Sequence, residues 1–357
     1  MWRTGLALTL MLSAGGCGAS QRPVPHPPPA PRDLGALETL APAASTTVLV
    51  LSPSSLLADP ASASVVSALF PDARLERFRV RTGVDPRTLE ALVLILHPEG
   101  RAVIARGPID ASLAVMEAGA RMAPLESSQD EPFPRRAGFL GSRRIELAAP
   151  SANVVVWVDG TPALSSALLH AAALDESERD HPFERADLSE IQEELGSAPL
   201  LLFSPHPLGL PLDQGIGMLL ARERALGLAM QPVGADRLQV RAAMRGEFPP
   251  GATENFAQLG HSMAASELGG ALGLREALPT YEVVAAEDHV AASVEVSVSR
   301  LALGLRAILV APIEELLDAP PTTPLPERSH AAAVAATSEE ADLAVVEPAE
   351  PGDAEAP

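Results

Sequence analysis

Apolar runs rich in valine and leucine punctuate the chain, each closed by a turn residue, and they predict its strands. Thr46–Leu51, ended by Ser52-Pro53, has the β-branched and leucine content of a buried strand. Ala91–Leu96 and Ala102–Ala105 flank Pro98-Glu99-Gly100 and read as a hairpin. Further strands are expected at about Phe139–Ala148 and at Val154–Val158. Near the far end, Val290, Ala292, Val294, Val296 and Val298 alternate with Ser293, Glu295 and Ser297, which predicts a strand with one buried and one wet face. Helical segments lie between: Ala61–Leu69, Ala73–Val80 closed by Gly83, and a helix from the N-cap Asp110 to about Met122. Thr161-Pro162 opens another, with proline at its first position. Asp187 and Glu190 have capping-box spacing before Ile191–Leu195, and Gly196 is the stop. The acidic stretch Asp175–Asp187 reads as a linker.

The second half repeats the first weakly but in order. Leu200–Pro205 matches Val48–Pro53, with Leu208 where Leu56 falls, and Ala225–Pro232 matches Ala91–Pro98. Arg245-Gly246 matches Arg106-Gly107; Gly260, Met263 and Ala264 match Gly119, Met122 and Ala123; Val294–Val298 matches Val154–Val158. Biased composition alone does not keep five correspondences in chain order, so a duplication is expected. The fold class expected is α+β: two tandem repeats, each a mostly antiparallel or mixed sheet with helices on one face.

Before the body, Arg3 and the apolar run from Gly5 to Leu12 lead to Ala14-Gly15-Gly16-Cys17, the only cysteine. This has the order of a secretory signal and is too short for a span, which needs about 20 apolar residues. It resembles the lipobox of bacterial lipoproteins, with Ala14 where leucine is commonest; the resemblance covers residues 1–17 only. It implies that Cys17 carries diacylglycerol and becomes the mature N-terminus, in the cell envelope, facing the periplasm or the exterior. The thiol chemistry agrees, because a lone exported cysteine has no disulfide partner.

The expected organisation is therefore a signal at 1–16, a lipidated Cys17 with a proline-rich spacer at 17–33, a first repeat at 34–174, an acidic linker and short helix at 175–197, a second repeat at 198–318, and an acidic Pro/Ala/Glu-rich disordered tail at 319–357.

Composition narrows the function classes. Hydrophobic residues at 47% can fill a core, but aromatics at 3% mean a core of Leu, Val and Ala. A net charge of −20, with arginine as the only formally cationic side chain, excludes nucleic acid as the expected partner and disfavours charge-driven adhesion of the whole body to anionic lipid. Without lysine there is no Walker motif, and with one cysteine no thiolate metal site.

Gly260-His261-Ser262-Met263-Ala264 approaches the Gly-x-Ser-x-Gly elbow of α/β-hydrolases, with Ser262 as nucleophile. Its final glycine is replaced by Ala264, and the preceding residues read as helix where an elbow needs a strand. The eight histidines show no i, i+4 pair, the acidic run at 175–187 lacks EF-hand spacing, and Arg135, Arg136, Arg143 and Arg144 could clamp an anion or pair with the chain's own acids. The expectation is a non-enzymatic, cofactor-free lipoprotein that contacts the membrane through its anchor and other envelope proteins through its body. A serine hydrolase using Ser262 and a small-ligand carrier with a site between the repeats are the alternatives.

Overall fold

The computed structural model describes residues 33–125, 133–206 and 222–306. Cys17, the signal, most of the spacer, the acidic tail and Leu208 lie outside the described residues. The first half contributes β1 (Thr47–Leu51), β2 (Ala91–His97), β3 (Gly100–Arg106), β4 (Ala123–Pro124), β5 (Arg135–Leu140), β6 (Arg143–Ser151) and β7 (Val154–Gly160). The second contributes β8 (Leu200–Ser204), β9 (Glu223–Pro232), β10 (Arg237–Gly246), β11 (Glu282–Ala285) and β12 (His289–Ser297). All twelve join one sheet in the order β11-β12-β10-β9-β8-β1-β2-β3-β7-β6-β5-β4.

The halves meet where β1 pairs antiparallel with β8, Val48 opposite Phe203 and Leu51 opposite Leu200. Reading outward from that seam gives β1, β2, β3, β7, β6 on one side and β8, β9, β10, β12, β11 on the other. The four matched segments that form strands thus fall on strands of the same rank. Where one sheet per repeat was expected, two edges have closed on each other and formed a single sheet. Elsewhere too, every neighbouring pair is antiparallel.

Helices lie on both faces of this sheet rather than one. On the first face, α5 (Pro162–Ala173), α6 (Ala186–Leu195) and the segment carrying Leu34, Leu37 and Leu40 cover Val48, Val93, Ile95, Val156, Phe203 and Ala229. On the second, α4 (Ala111–Gly119) covers Ile145 and Leu147, with Val155 and Trp157 packed against them. The helices α1 (Pro53–Ala58), α2 (Pro60–Leu69) and α3 (Asp72–Thr82) follow β1, and α2 shares a core with Leu238, Val296 and the helical stretch 298–306. Finally α7 (Ala252–Ala265) packs Phe256 on Met244 and Val290. Runs such as Val154–Val158 are apolar at every position, a pattern that two-sided burial demands.

Several expected boundaries hold by their chemistry. Asp110 accepts a hydrogen bond from the Leu113 amide and Thr161 Oγ1 one from the Leu164 amide. Other expectations change. The single strand expected at Phe139–Ala148 is a hairpin, β5 and β6, turning at Gly141 with φ of 65°. The helix at Ile191 begins earlier, at Ala186, so Asp187 sits in its first turn and pairs with Arg185 and Arg224 instead of capping it. The expected acidic linker is two 3-10 turns, Glu176–Glu178 and Pro182–Glu184, which bury Arg179 and Phe183.

The helix α6 approaches the sheet most closely at Gly227 of β9. A Cβ there would lie 2.3 Å from Ile191 Cγ2 and 2.7 Å from Leu195 Cδ1, so the contact requires glycine. Gly227→Val is expected to lower unfolding free energy by about 1–3 kcal/mol, the usual cost of forcing extra carbons into a packed core. A chemical denaturation midpoint equal to wild type would show that α6 is not seated on this strand.

Candidate functional site

Both ends of a sheet are places where another strand can add, and here both are blunted. The strand β4 has two residues and ends in Pro124. The strand β11 has four, and its last residue is covered from outside: the Ala285 amide donates to Thr253 Oγ1 at 3.2 Å.

The open region lies inward from β11. On the first face, α6 ends over β9 and β10, and among the described residues no helix lies over the wet side of β12 and β11. Glu194, Leu195, Arg241, Glu282, Val284 and Ser293 line the groove there, of about 270 Å³. From β12, Ala291, Ala292 and Ser293 contribute to its lining. This volume sits just below the range of drug-sized ligand pockets, so the groove suits an elongated polar or peptide-like surface better than an enclosed small molecule.

Its polar groups are organised mainly by one another. Arg241 donates to the Leu195 carbonyl, placing a cation on the C-terminal end of α6, where the helix dipole favours it. It also donates to Gln231 Oε1 at 3.4 Å, and Gln231 Nε2 donates to Gln239 Oε1 at 3.0 Å. Arg245 pairs with Glu190 and Glu194, both at 3.1 Å, and Arg237 with Glu295 at 3.5 Å. Two donors lack a hydrogen bond: Arg241 Nε and Arg245 Nε are both buried without one, the second lying at ion-pair distance, 3.1 Å, from Glu190.

The residues singled out from sequence fall elsewhere. Ser262 lies on the exposed side of α7, inside a continuous helix, so no strand-to-helix elbow surrounds it. Gly260 is there for packing: a Cβ would come within 2.4 Å of the Tyr281 ring, whose hydroxyl donates to the Phe256 carbonyl at 3.0 Å. The four arginines are divided between the sheet's faces. Arg135 and Arg144 pair with the buried Glu146, Arg144 at 2.8 Å, and Arg143 joins Arg101 on Asp159, the latter at 2.9 Å. Burial works to raise the Asp159 carboxyl, but the hydrogen bonds from Arg143 and Arg101 outweigh it and hold the group below the usual carboxylate range. Arg135, Arg143 and Arg144 therefore serve the chain's own acids, and Arg136 lies along α4 with its Nη2 3.7 Å from Met116 Sδ. Among the described residues no group of three or more His, Cys, Asp or Glu is placed to hold a metal.

Sequence reasoning missed Glu223, at the start of β9. It is 1% exposed, and neither carboxylate oxygen has a hydrogen-bond partner. Burial pushes its carboxyl up to about 7. The signal was present only as one acid among the arginines of Arg222-Glu223-Arg224, which reads as a solvated charge run.

No family model matches the chain, and no curated protein matches it. Two solved structures do, crystal forms III and IV of TP0453. The first is 10% identical, covers 76% of this chain and 97% of its own, and has a TM-score of 0.44. The second is 9% identical, covers 74% and 94% respectively, and has the same TM-score. Neither likeness bears on what this chain binds. No helix among the described residues is long and apolar enough to cross a membrane.

Proposed function

We propose that this is a bacterial envelope lipoprotein, held to a membrane by acylated Cys17, whose body serves as a non-enzymatic binding or scaffolding surface. The observation that carries the reading is the lone cysteine itself, preceded by Leu12-Ser13-Ala14-Gly15-Gly16 and followed by a proline-rich stretch that delivers the chain to the body at Asp33. Two or three acyl chains, at about 0.8 kcal/mol per buried methylene, anchor a protein stably where one does not. The body is read as a duplicated unit whose two copies share one sheet, with the groove at β10, β12 and β11 as the surface offered to envelope partners. A binding role suits that groove, because nearly all its charged groups are already paired with one another.

The test combines labelling with crosslinking in the native envelope. Cys17→Ser is expected to abolish palmitate labelling and to release the body to the soluble fraction; unchanged labelling would overturn the anchor. Val284→Arg with Ser293→Arg fills the groove, and it is expected to remove the partners that the wild-type chain crosslinks. An unchanged partner set would show that the groove is not the binding surface.

A further inference from the structure

The helix α3, Asp72-Ala73-Arg74-Leu75-Glu76-Arg77-Phe78-Arg79-Val80-Arg81-Thr82, has no buried residue among those whose burial is described. It carries four arginines against one aspartate and one glutamate, a local excess of positive charge in a chain of net charge −20. Phe78 is 37% exposed and Val80 is 69% exposed, with Arg77 exposed beside Val80. Core packing does not account for Phe78 and Val80. The helix is held in place through salt bridges, Arg87 pairing with Glu76 at 3.1 Å and with Asp72 at 3.8 Å, while Arg79 pairs with Glu76 within the helix; its end meets α4, where Glu117 lies against Gly83.

The position of α3 in the fold narrows what it faces. Its C-terminal end leads through the 3-10 turn Pro86–Thr88 into the start of β2, opposite the end of β3. At that same end of the sheet Arg106 donates to the Gly35 carbonyl at 2.6 Å, fixing the point where the N-terminal stretch joins the body. The helix α4 also begins there, and its first turns expose Leu113. Cys17 is only sixteen residues from Asp33, at most roughly 50 Å of extended chain. The end of the sheet that the tether reaches first is therefore the one that presents a basic helix with apolar side chains beside it.

We propose that α3, with Phe78, Val80 and its arginines, rests on an anionic bilayer surface at the end of the sheet nearest the anchor. The proposal rests on the anchored reading above. It resolves the conflict with the acidic net charge, since contact is decided by the charge within a Debye length of the surface, about 10 Å, and not by the sum over the chain. Each arginine near an anionic surface contributes about 1 kcal/mol, and the neighbouring apolar side chains add burial in the headgroup region.

The test uses the full mature chain carrying Cys17→Ser, so that no acyl chain contributes, sedimented with vesicles of equal phosphatidylglycerol and phosphatidylcholine or of phosphatidylcholine alone. Binding to the anionic vesicles only, weakened by added salt, is expected. Arg77→Glu with Val80→Asp, both exposed positions, is expected to weaken it at least about tenfold while leaving the circular dichroism spectrum unchanged. Absence of binding, equal binding to both vesicles, or binding indifferent to the double substitution would overturn the proposal. Palmitate labelling of Cys17 in the otherwise wild-type chain is read separately: label with no vesicle binding retires this surface and keeps the anchor, and vesicle binding without label does the reverse.

Discussion

Replacing Arg179 with alanine is expected to cost about 3–5 kcal/mol, the largest loss from any single side chain considered in this fold. The residue is 2% exposed, and its guanidinium is held by backbone and side-chain oxygens from two parts of the chain. Its Nε donates to the Ala171 carbonyl at 3.0 Å and its Nη2 to that of Leu174 at 3.3 Å, both at the end of α5. Its Nη1 donates to the Leu34 carbonyl and to Thr39 Oγ1, both at 2.8 Å. The cation thus satisfies the last carbonyls of a helix, where the dipole favours positive charge, and ties the Leu34–Leu40 segment across the first face. Alanine would leave these acceptors buried without donors, at about 1–3 kcal/mol for each that water cannot reach. Lysine would keep the charge but not the planar fork, so Arg179→Lys should recover only part of the loss. Against a total stability of about 5–15 kcal/mol, the alanine variant should show a large fall in urea midpoint. A loss under about 1 kcal/mol would mean that the N-terminal segment is held without this guanidinium, by its leucines and by contacts such as that of Arg106 with the Gly35 carbonyl.

The second large effect is one of pH. Glu223 is buried without a partner and its carboxyl is pushed up to about 7 by burial, so the folded chain holds this proton more tightly than the unfolded chain does. Between the ordinary glutamate range, near pH 4.3, and about 7, the folded state binds one more proton than the unfolded state, and stability falls as pH rises. Below that window the contribution is fully present; above it, roughly 3 kcal/mol has been lost. Asp159 acts with the opposite sign. Held below the usual range by Arg143 and Arg101, it adds stability that disappears as the solution becomes more acid than about pH 4. Stability should therefore peak on the acid side of neutrality. Glu223→Gln is expected to flatten the decline between about pH 5 and 8 while leaving the acid limb in place. A Gln variant whose urea midpoints track the wild type across that range would assign the decline to another group.

How much of this was legible in the sequence differs by element. The caps at Asp110 and Thr161 were readable because a short polar side chain before an apolar helix has few other uses. The strands were readable where valine and leucine run unbroken, and the paired ranks of β1 with β8 and β2 with β9 were foreshadowed by Leu200–Pro205 and Ala225–Pro232. The strand β11 was not, since Glu282-Val283-Val284-Ala285 is too short and too ordinary to stand out. Nor was the candidate groove: Glu194, Arg241 and Ser293 lie on different elements, each with the appearance of a solvated position. Gly-x-Ser-x at Ser262 erred the other way, because a glycine needed under Tyr281 looks in one dimension like the glycine of a nucleophile turn.

By itself, the sequence determined most of the helices and strands, that their class is α+β, and which residue an anchoring chemistry would use. Those are local matters of periodicity, capping and the position of one thiol. Only the tertiary structure decided that the two halves close edge to edge through β1 and β8, that helices cover both faces, and that Arg179 lies inside the fold and not in an acidic linker. Strand-edge pairing is made by backbone amides and carbonyls that every residue carries, so side-chain pattern does not record it. The burial of a charged group depends on acceptors brought from distant segments, and no window of sequence contains them.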